Sequence, residues 1–272
     1  MSEISRRMYF SRAPSAASIF PHSSESSRDP AMPMSRPNNR ILLKISGESL
    51  AQPGQLGIST EELKVIAGEI VSAADLGGEI AVVVGGGNIV RGARLAAGGT
   101  IHQSTADYMG MLATVMNGMA LKEVIEGLGR PARIMSAINV PAVAEPFIRA
   151  RAVRHLEKGR VVVLVAGTGN PFFTTDTCAS LRAIELNASM LLKATKVDGI
   201  YTADPHKDPS AKRFDTLTFA EAIEKKLGVM DLTALTMCME HDLPVCVFDY
   251  RVAGNIRRVV SGERIGTLVT KA

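Results

Sequence analysis

From residue 40 onward, short apolar runs alternate with segments of helical period. Residues 41–46, 79–84, 132–135, 160–166, 189–193 and 244–248 are runs of this kind, and 266–270 is a further candidate. Each is too short for a stable helix, and most are bounded by glycine or polar residues, which predicts strands. Residues 60–76 carry Leu63, Ile66, Ala67 and Ile70 on one helical face. Residues 107–128 predict a long helix that is apolar nearly all round, and 221–227 and 232–241 also read as helical. Buried strands separated by helices imply an α/β fold, a mainly parallel central sheet with helices on both faces. No solenoid repeat is present. Ligands of such sheets bind beyond the carboxyl ends of the strands, so chemistry is expected in the turns that follow them.

Residues 1–38 break the pattern. They are rich in Ser, Pro and Arg and show no sustained period. Such a segment buries too little apolar surface to offset its ordering entropy, and it is expected to be a disordered tail ahead of one domain over 39–272. Its composition also resembles a transit peptide, with Arg6, Arg7, Arg12 and Arg28, although Glu3, Glu25 and Asp29 run against that. A start at Met32 or Met34 is a third reading.

The richest turn is Gly167-Thr168-Gly169-Asn170-Pro171-Phe172-Phe173-Thr174-Thr175-Asp176. It follows the apolar run 161–166 and precedes Leu181, Ile184 and Ala188 at helical spacing. A strand, a Gly/Thr/Asn turn and a helix N-terminus in that order converge backbone N–H groups, and the helix dipole favours an anion there. Thr174 and Thr175 add hydroxyls, so the turn reads as a phosphate cradle.

Other strand ends carry related chemistry. The first ends in Lys44-Ile45-Ser46-Gly47-Glu48, where a lysine can reach phosphate oxygens; a surface lysine beside a turn glycine is the plainer reading. The second ends in Gly85-Gly86-Gly87-Asn88. Three glycines cost backbone entropy and are tolerated where main chain packs closely on something. Arg91, one turn on, can make charge-assisted bonds to phosphate. The spacing is neither G-x-G-x-x-G nor G-x-x-x-x-G-K-[ST], which disfavours a Rossmann site and a P-loop. Asp107 and Asp176 stand at predicted helix entrances and read equally as N-caps. Lys193 ends a buried strand, an uncommon place for a lysine unless it is paired or faces a site. Beyond it, Tyr201 can stack on a base and Asp204 can hold a ribose or a cation, or Asp204-Pro205 is a simple turn. The methionines of 107–128 read as core, and their helix suits a subunit interface.

Composition narrows the classes. The 272 residues are 46% hydrophobic and 21% charged, with a net charge of +4. That is ordinary for a globular enzyme, and the mild excess of positive charge fits an anionic substrate. No apolar run reaches a membrane-spanning length, and nothing resembles a nucleic-acid module. Cys178, Cys238 and Cys246 are odd in number and lack C-x-x-C spacing, which predicts reduced thiols in a cytoplasmic protein and no disulfide frame or zinc site.

The motifs, taken together, resemble the UMP kinase branch of the amino acid kinase superfamily. The blocks 44–48, 85–92, 107–114, 167–176 and 193–204 carry the likeness, in order, between about residues 40 and 270. The resemblance implies a carbamate kinase-like three-layer fold and Mg²⁺-dependent transfer of the ATP γ-phosphoryl group to UMP, in pyrimidine nucleotide synthesis. It implies that Lys44, Ile45, Ser46, Gly47, Gly87, Arg91, Thr195, Tyr201 and Asp204 bind ATP. It puts Gly86, Asp107, Thr168, Gly169, Asn170, Pro171, Phe172, Phe173, Thr174 and Thr175 on UMP. Lys44 and Lys193 would bind the transferring group, with Asp176 and Asp231 orienting the lysines, and no protein metal ligand is expected. It further implies a cytoplasmic homohexamer, built as a trimer of dimers and allosterically controlled. Val90 stands where the family often has Phe, and Lys122 and Glu126 where one branch has Arg and His. A non-catalytic nucleotide-binding storage or regulatory protein of the same fold is the alternative.

Overall fold

The computed structural model describes residues 39–271, apart from His206 and Pro209. The expected disordered tail lies outside the described residues. Among the described residues nine strands form the main sheet: β1 (Arg40–Ile45), β2 (Glu79–Val84), β3 (Ala132–Ser136), β4 (Glu145–Pro146), β5 (Val161–Val165), β6 (Met190–Thr195), β9 (Thr216–Thr218), β10 (Val245–Asp249) and β11 (Thr267–Thr270). Their spatial order is β4-β3-β5-β2-β1-β6-β10-β11-β9, and only the β10–β11 pair is antiparallel. β7 (Ile200–Tyr201) and β8 (Arg213–Phe214) form a separate two-stranded antiparallel ribbon. The α/β expectation therefore holds. The short strands β4, β7, β8 and β9 have too few residues to show a period.

Alternation along the strands sorts side chains into two cores. Ile41, Leu43 and Ile45 of β1, with Val82 and Val84 of β2, face one core. That core is closed by α1 (Thr60–Ala74), α3 (Gln103–Gly127) and α8 (Asn255–Val260). Leu42, Ala81, Val83 and Leu191 face the other, beneath α4 (Arg149–Glu157), α5 (Thr175–Glu185), α6 (Phe219–Glu224) and α7 (Leu232–Glu240). The remaining helix, α2 (Gly92–Ala97), follows the glycine turn. No helix among the described residues is long and apolar enough to cross a membrane.

Two predicted helix starts are corrected. α3 begins at Gln103, where His102 is the N-cap, so Asp107 lies inside the helix. α5 is capped by Thr174, whose hydroxyl oxygen accepts from the N–H groups of Asp176 and Thr177, so Asp176 sits in the first turn. Both aspartates are thereby released from capping.

Candidate functional site

Lys44 and Lys193 are register partners across the parallel β1–β6 pair. Alternation aims both away from the α1/α3 core, toward the layer holding α5. Two neighbouring ammonium groups would repel strongly without a counter-charge. Asp176 supplies it: Lys44 Nζ is 2.9 Å from Oδ1 and Lys193 Nζ is 2.7 Å from Oδ2. The side chains are only 12%, 13% and 16% exposed, in the order Lys44, Lys193, Asp176. Lys193 also donates to the carbonyl of Val229, in the segment between α6 and α7.

Burial opposes charge on Asp176, but the two ammonium groups outweigh it and hold the carboxyl below its ordinary value. Burial and the nearby Lys44 lower Lys193, although Asp176 partly offsets them. Two lysines against one carboxylate leave a net positive charge at the ends of β1 and β6, which suits an anion bearing several charges.

The glycine turn after β2 is built for close approach. A Cβ on Gly47 would fall 2.7 Å from the amide nitrogen of Gly87 and 2.8 Å from the carbonyl of Gly85. A Cβ on Gly86 would meet the Gly110 carbonyl of α3 at 2.7 Å, whereas Gly87 faces open space. Asn88 and Asn117 are buried and bond to each other through both amide groups, at 2.7 and 3.0 Å. Asn117 also donates to the Gly85 carbonyl at 2.8 Å. This pair pins the glycine turn to α3. Arg91 forms an ion pair with Glu48, joining the turns after β1 and β2.

The turn after β5 has an unusual backbone. Ala166, Gly167, Gly169 and Phe172 have φ of 62°, 57°, 84° and 71°. Left-handed alanine and phenylalanine are strained by about 1–3 kcal/mol each, so surrounding contacts must hold them. Thr114, buried in α3, accepts from the Ala166 N–H at 2.7 Å. Asp107 Oδ2 accepts from the Phe172 N–H at 2.8 Å. α3 thus fixes both ends of the turn.

Between these turns lies a cleft of about 270 Å³. It brings together Gly86, Gly87, Asp107, Thr168, Asn170, Phe173, Thr174 and Thr175 from the sequence-based set. Gly169, Pro171 and Phe172 belong to the same turn without lining the cleft. Gly167 of the predicted cradle also lines it, and so do Val90, Gly92, Gly110, Met111 and Thr114, to which sequence reasoning gave no ligand. Thr114 and Asn117 had a readable signal, polar side chains three apart within an apolar helix.

Other assigned residues sit on the far side of β1. Thr195, at the end of β6, donates to the carbonyls of Val197 and Phe248 at 2.7 and 3.2 Å. Tyr201 donates to Asp198 at 2.7 Å, and Asp204 pairs with Lys207 at 3.7 Å. Asp231 departs from its expected part. It caps α7 through Ala234 N–H at 3.0 Å, and its hydrogen bonds to side chains run to Thr174 and Thr177. Lys193 feels it only through space. Thr174 consequently gives its hydroxyl proton to Asp231 and not to the cleft. The three cysteines are free and buried, and burial pushes the Cys178 thiol up to about 11, which removes it as a nucleophile.

An α/β scaffold with glycine turns, two lysines and one carboxylate at its strand ends is arranged for phosphate-bearing ligands. Residues 39–249 match the model of the amino acid kinase family, and the chain belongs to that family. Among solved structures it is similar to a UMP kinase from Bacillus anthracis, with 40% identity, TM-score 0.84, and coverage of 87% of this chain and 97% of that one. A UMP kinase from Ureaplasma parvum is 34% identical with TM-score 0.81, covering 87% of this chain and 100% of that one. A uridylate kinase from Archaeoglobus fulgidus is 29% identical with TM-score 0.64, covering 85% and 99%.

Proposed function

We infer that the protein is a UMP kinase, transferring the γ-phosphoryl group of ATP to UMP to give UDP and ADP. The observation that carries this is the Lys44–Asp176–Lys193 cluster, set between the phosphate-type turn after β5 and the end of β6. Likeness to UMP kinases over most of the chain supports it. An oxygen of the UMP phosphate attacks the γ-phosphorus in line, the bond to the bridging oxygen breaks, and ADP leaves with the electron pair. The acceptor is already ionised at neutral pH, so no general base is needed. Lys44 and Lys193 neutralise the charge of the two approaching anions, and Asp176 keeps the lysines apart and aimed. A storage or regulatory protein would have no need of this lysine pair and its carboxylate.

In this reading UMP occupies the 270 Å³ cleft, held by Gly86, Asp107 and residues 168–175. ATP lies across Lys44, Ile45, Ser46, Gly47, Gly87 and Arg91, and reaches Thr195, Tyr201 and Asp204. Mg²⁺, carried in by ATP, would supply neutralisation of phosphate charge there. Among the described residues no three His, Cys, Asp or Glu side chains converge on a metal position, and Asp176 is committed to lysines. The site therefore fits a metal held by phosphate oxygens and water. The same reading carries a cytoplasmic, allosteric homohexamer, a trimer of dimers, acting in pyrimidine nucleotide synthesis. Tyr108, Leu112, Met116 and Met119 form an exposed apolar stripe on α3 that supports a subunit contact.

ADP release measured with MgATP and UMP, CMP, dUMP, aspartate, glutamate or no acceptor tests the function. Strong preference for UMP is expected. ATP binding without turnover on any acceptor would overturn the reading.

Asp107→Ala is expected to raise KM for UMP by roughly tenfold or more, while KM for ATP stays within about twofold, since a hydrogen bond to a charged group is worth about 1.5–3 kcal/mol. Asp107→Asn keeps an acceptor for the Phe172 N–H, so comparing the two variants separates direct contact from loop support. Equal losses for both nucleotides would place Asp107 elsewhere.

A further inference from the structure

We propose that Thr177 and Asp231 are positioning residues that hold the turn after β5 in its acceptor-binding form; this rests on the UMP kinase reading. Thr177 lies in the first turn of α5, is 4% exposed, and has its hydroxyl bonded to both oxygens of Asp231, at 2.9 and 3.0 Å. Asp231 also accepts the hydroxyl proton of Thr174. Thr174 in turn receives the N–H groups of Asp176 and Thr177, each at 3.1 Å. Both hydroxyl protons go to Asp231, and both Asp231 oxygens accept from within the set or from the α7 cap, so the set is a brace and not a ligand site.

What the brace holds is specific. Thr174 is the last residue of the strained turn before α5, and it lines the cleft. Its cap fixes where α5 starts, and so where the N–H groups of the first turn point. Thr175, which follows it, makes no side-chain hydrogen bond among the described residues and lines the cleft. The brace therefore leaves Thr175 as the hydroxyl presented to a phosphate, while Thr174 serves the frame. Two residues upstream of Asp231, the Val229 carbonyl meets Lys193. One short segment thus touches both the acceptor turn and the transfer lysine. Its carboxylate acts on the former.

The test compares steady-state constants of Thr177→Val, Thr177→Ser and Asp231→Asn in the full chain, with wild-type turnover of UMP as the control. Thr177→Val removes the hydroxyl at nearly constant volume. KM for UMP is expected to rise about five- to tenfold, with KM for ATP and kcat within about twofold, because the lost bond is one to a charged group. Thr177→Ser restores the wild-type constants. Asp231→Asn shows the same signature, and combining it with Thr177→Val adds little, as for residues acting together. A fall in kcat at unchanged KM for UMP would overturn the proposal and place Asp231 on Lys193. Unchanged constants in folded Thr177→Val would reduce the contact to helix packing. If Thr177→Val fails to fold, Asp231→Asn, which keeps an acceptor for the α7 cap, decides by the same ratio. Lack of UMP turnover in the wild type would instead be a failure of the UMP kinase reading.

Discussion

Lys193→Ala lowers kcat by roughly a thousandfold while the dissociation constant for UMP changes by no more than about threefold, as expected for a group that stabilises transferring charge and not the bound acceptor. The geometry sets this split. Lys193 has three N–H donors. One goes to Asp176 at 2.7 Å and one to the Val229 carbonyl, which leaves the third for an oxygen outside the protein. Lys44 stands beside it in register, so an incoming phosphoryl group meets two cations at once. Alanine removes one of them and also leaves Asp176 with a single partner, as part of the same loss. The acceptor cleft after β5 is lined by α3 and the 167–175 turn, without Lys193, so UMP binding is little affected. Rapid-quench measurement of the transfer step, with equilibrium titration of UMP, separates the two quantities. Full turnover in the variant would remove Lys193 from the site.

That lysine was visible in the sequence because it breaks an apolar strand. Its pairing with Lys44 was not. β6 follows β1 by almost 150 residues, and nothing local dictates that these two strands become neighbours. Periodicity and turn composition were enough for the α/β class and for the strand ends where ligands bind, since both follow from local pattern. Helix starts were less legible. Asp107 and Asp176 have the chemistry of caps, and the sequence offered no way to tell that His102 and Thr174 would take those positions. The freed carboxylates then do other work, Asp107 on the Phe172 N–H and Asp176 between two lysines. Asp231 shows the reverse. It was assigned to the lysines by resemblance, yet its hydrogen bonds run to Thr174 and Thr177, a geometry set by how α7 packs against α5.

Asp176→Asn is the second large expectation, and it acts on stability and activity together. The amide oxygen accepts from one lysine, but the amide nitrogen faces the other with donors of its own. Two nearly buried ammonium groups are then left without a counter-charge, and breaking such a set costs about 3 kcal/mol. For a domain of this size that lowers Tm by roughly 10 °C. Acid dependence gives a sharper sign. The folded-state value of Asp176 lies below its ordinary 3.8, so its contribution is fully present above that value and is lost as pH falls through the lower one. The wild type therefore destabilises on acidification through this window, and the variant lacks that contribution. Alkaline behaviour moves as well. Lys193 already loses its proton more readily than an exposed lysine, and Asp176 is what opposes the loss. Without the carboxylate, the alkaline fall in kcat begins at lower pH, on top of a drop of at least about a hundredfold at neutral pH from disordered transfer groups. Saturating MgATP is expected to recover part of the lost Tm, because its phosphates restore negative charge beside the lysines. A variant with wild-type Tm, kcat and pH profile would show that Asp176 does not hold the pair.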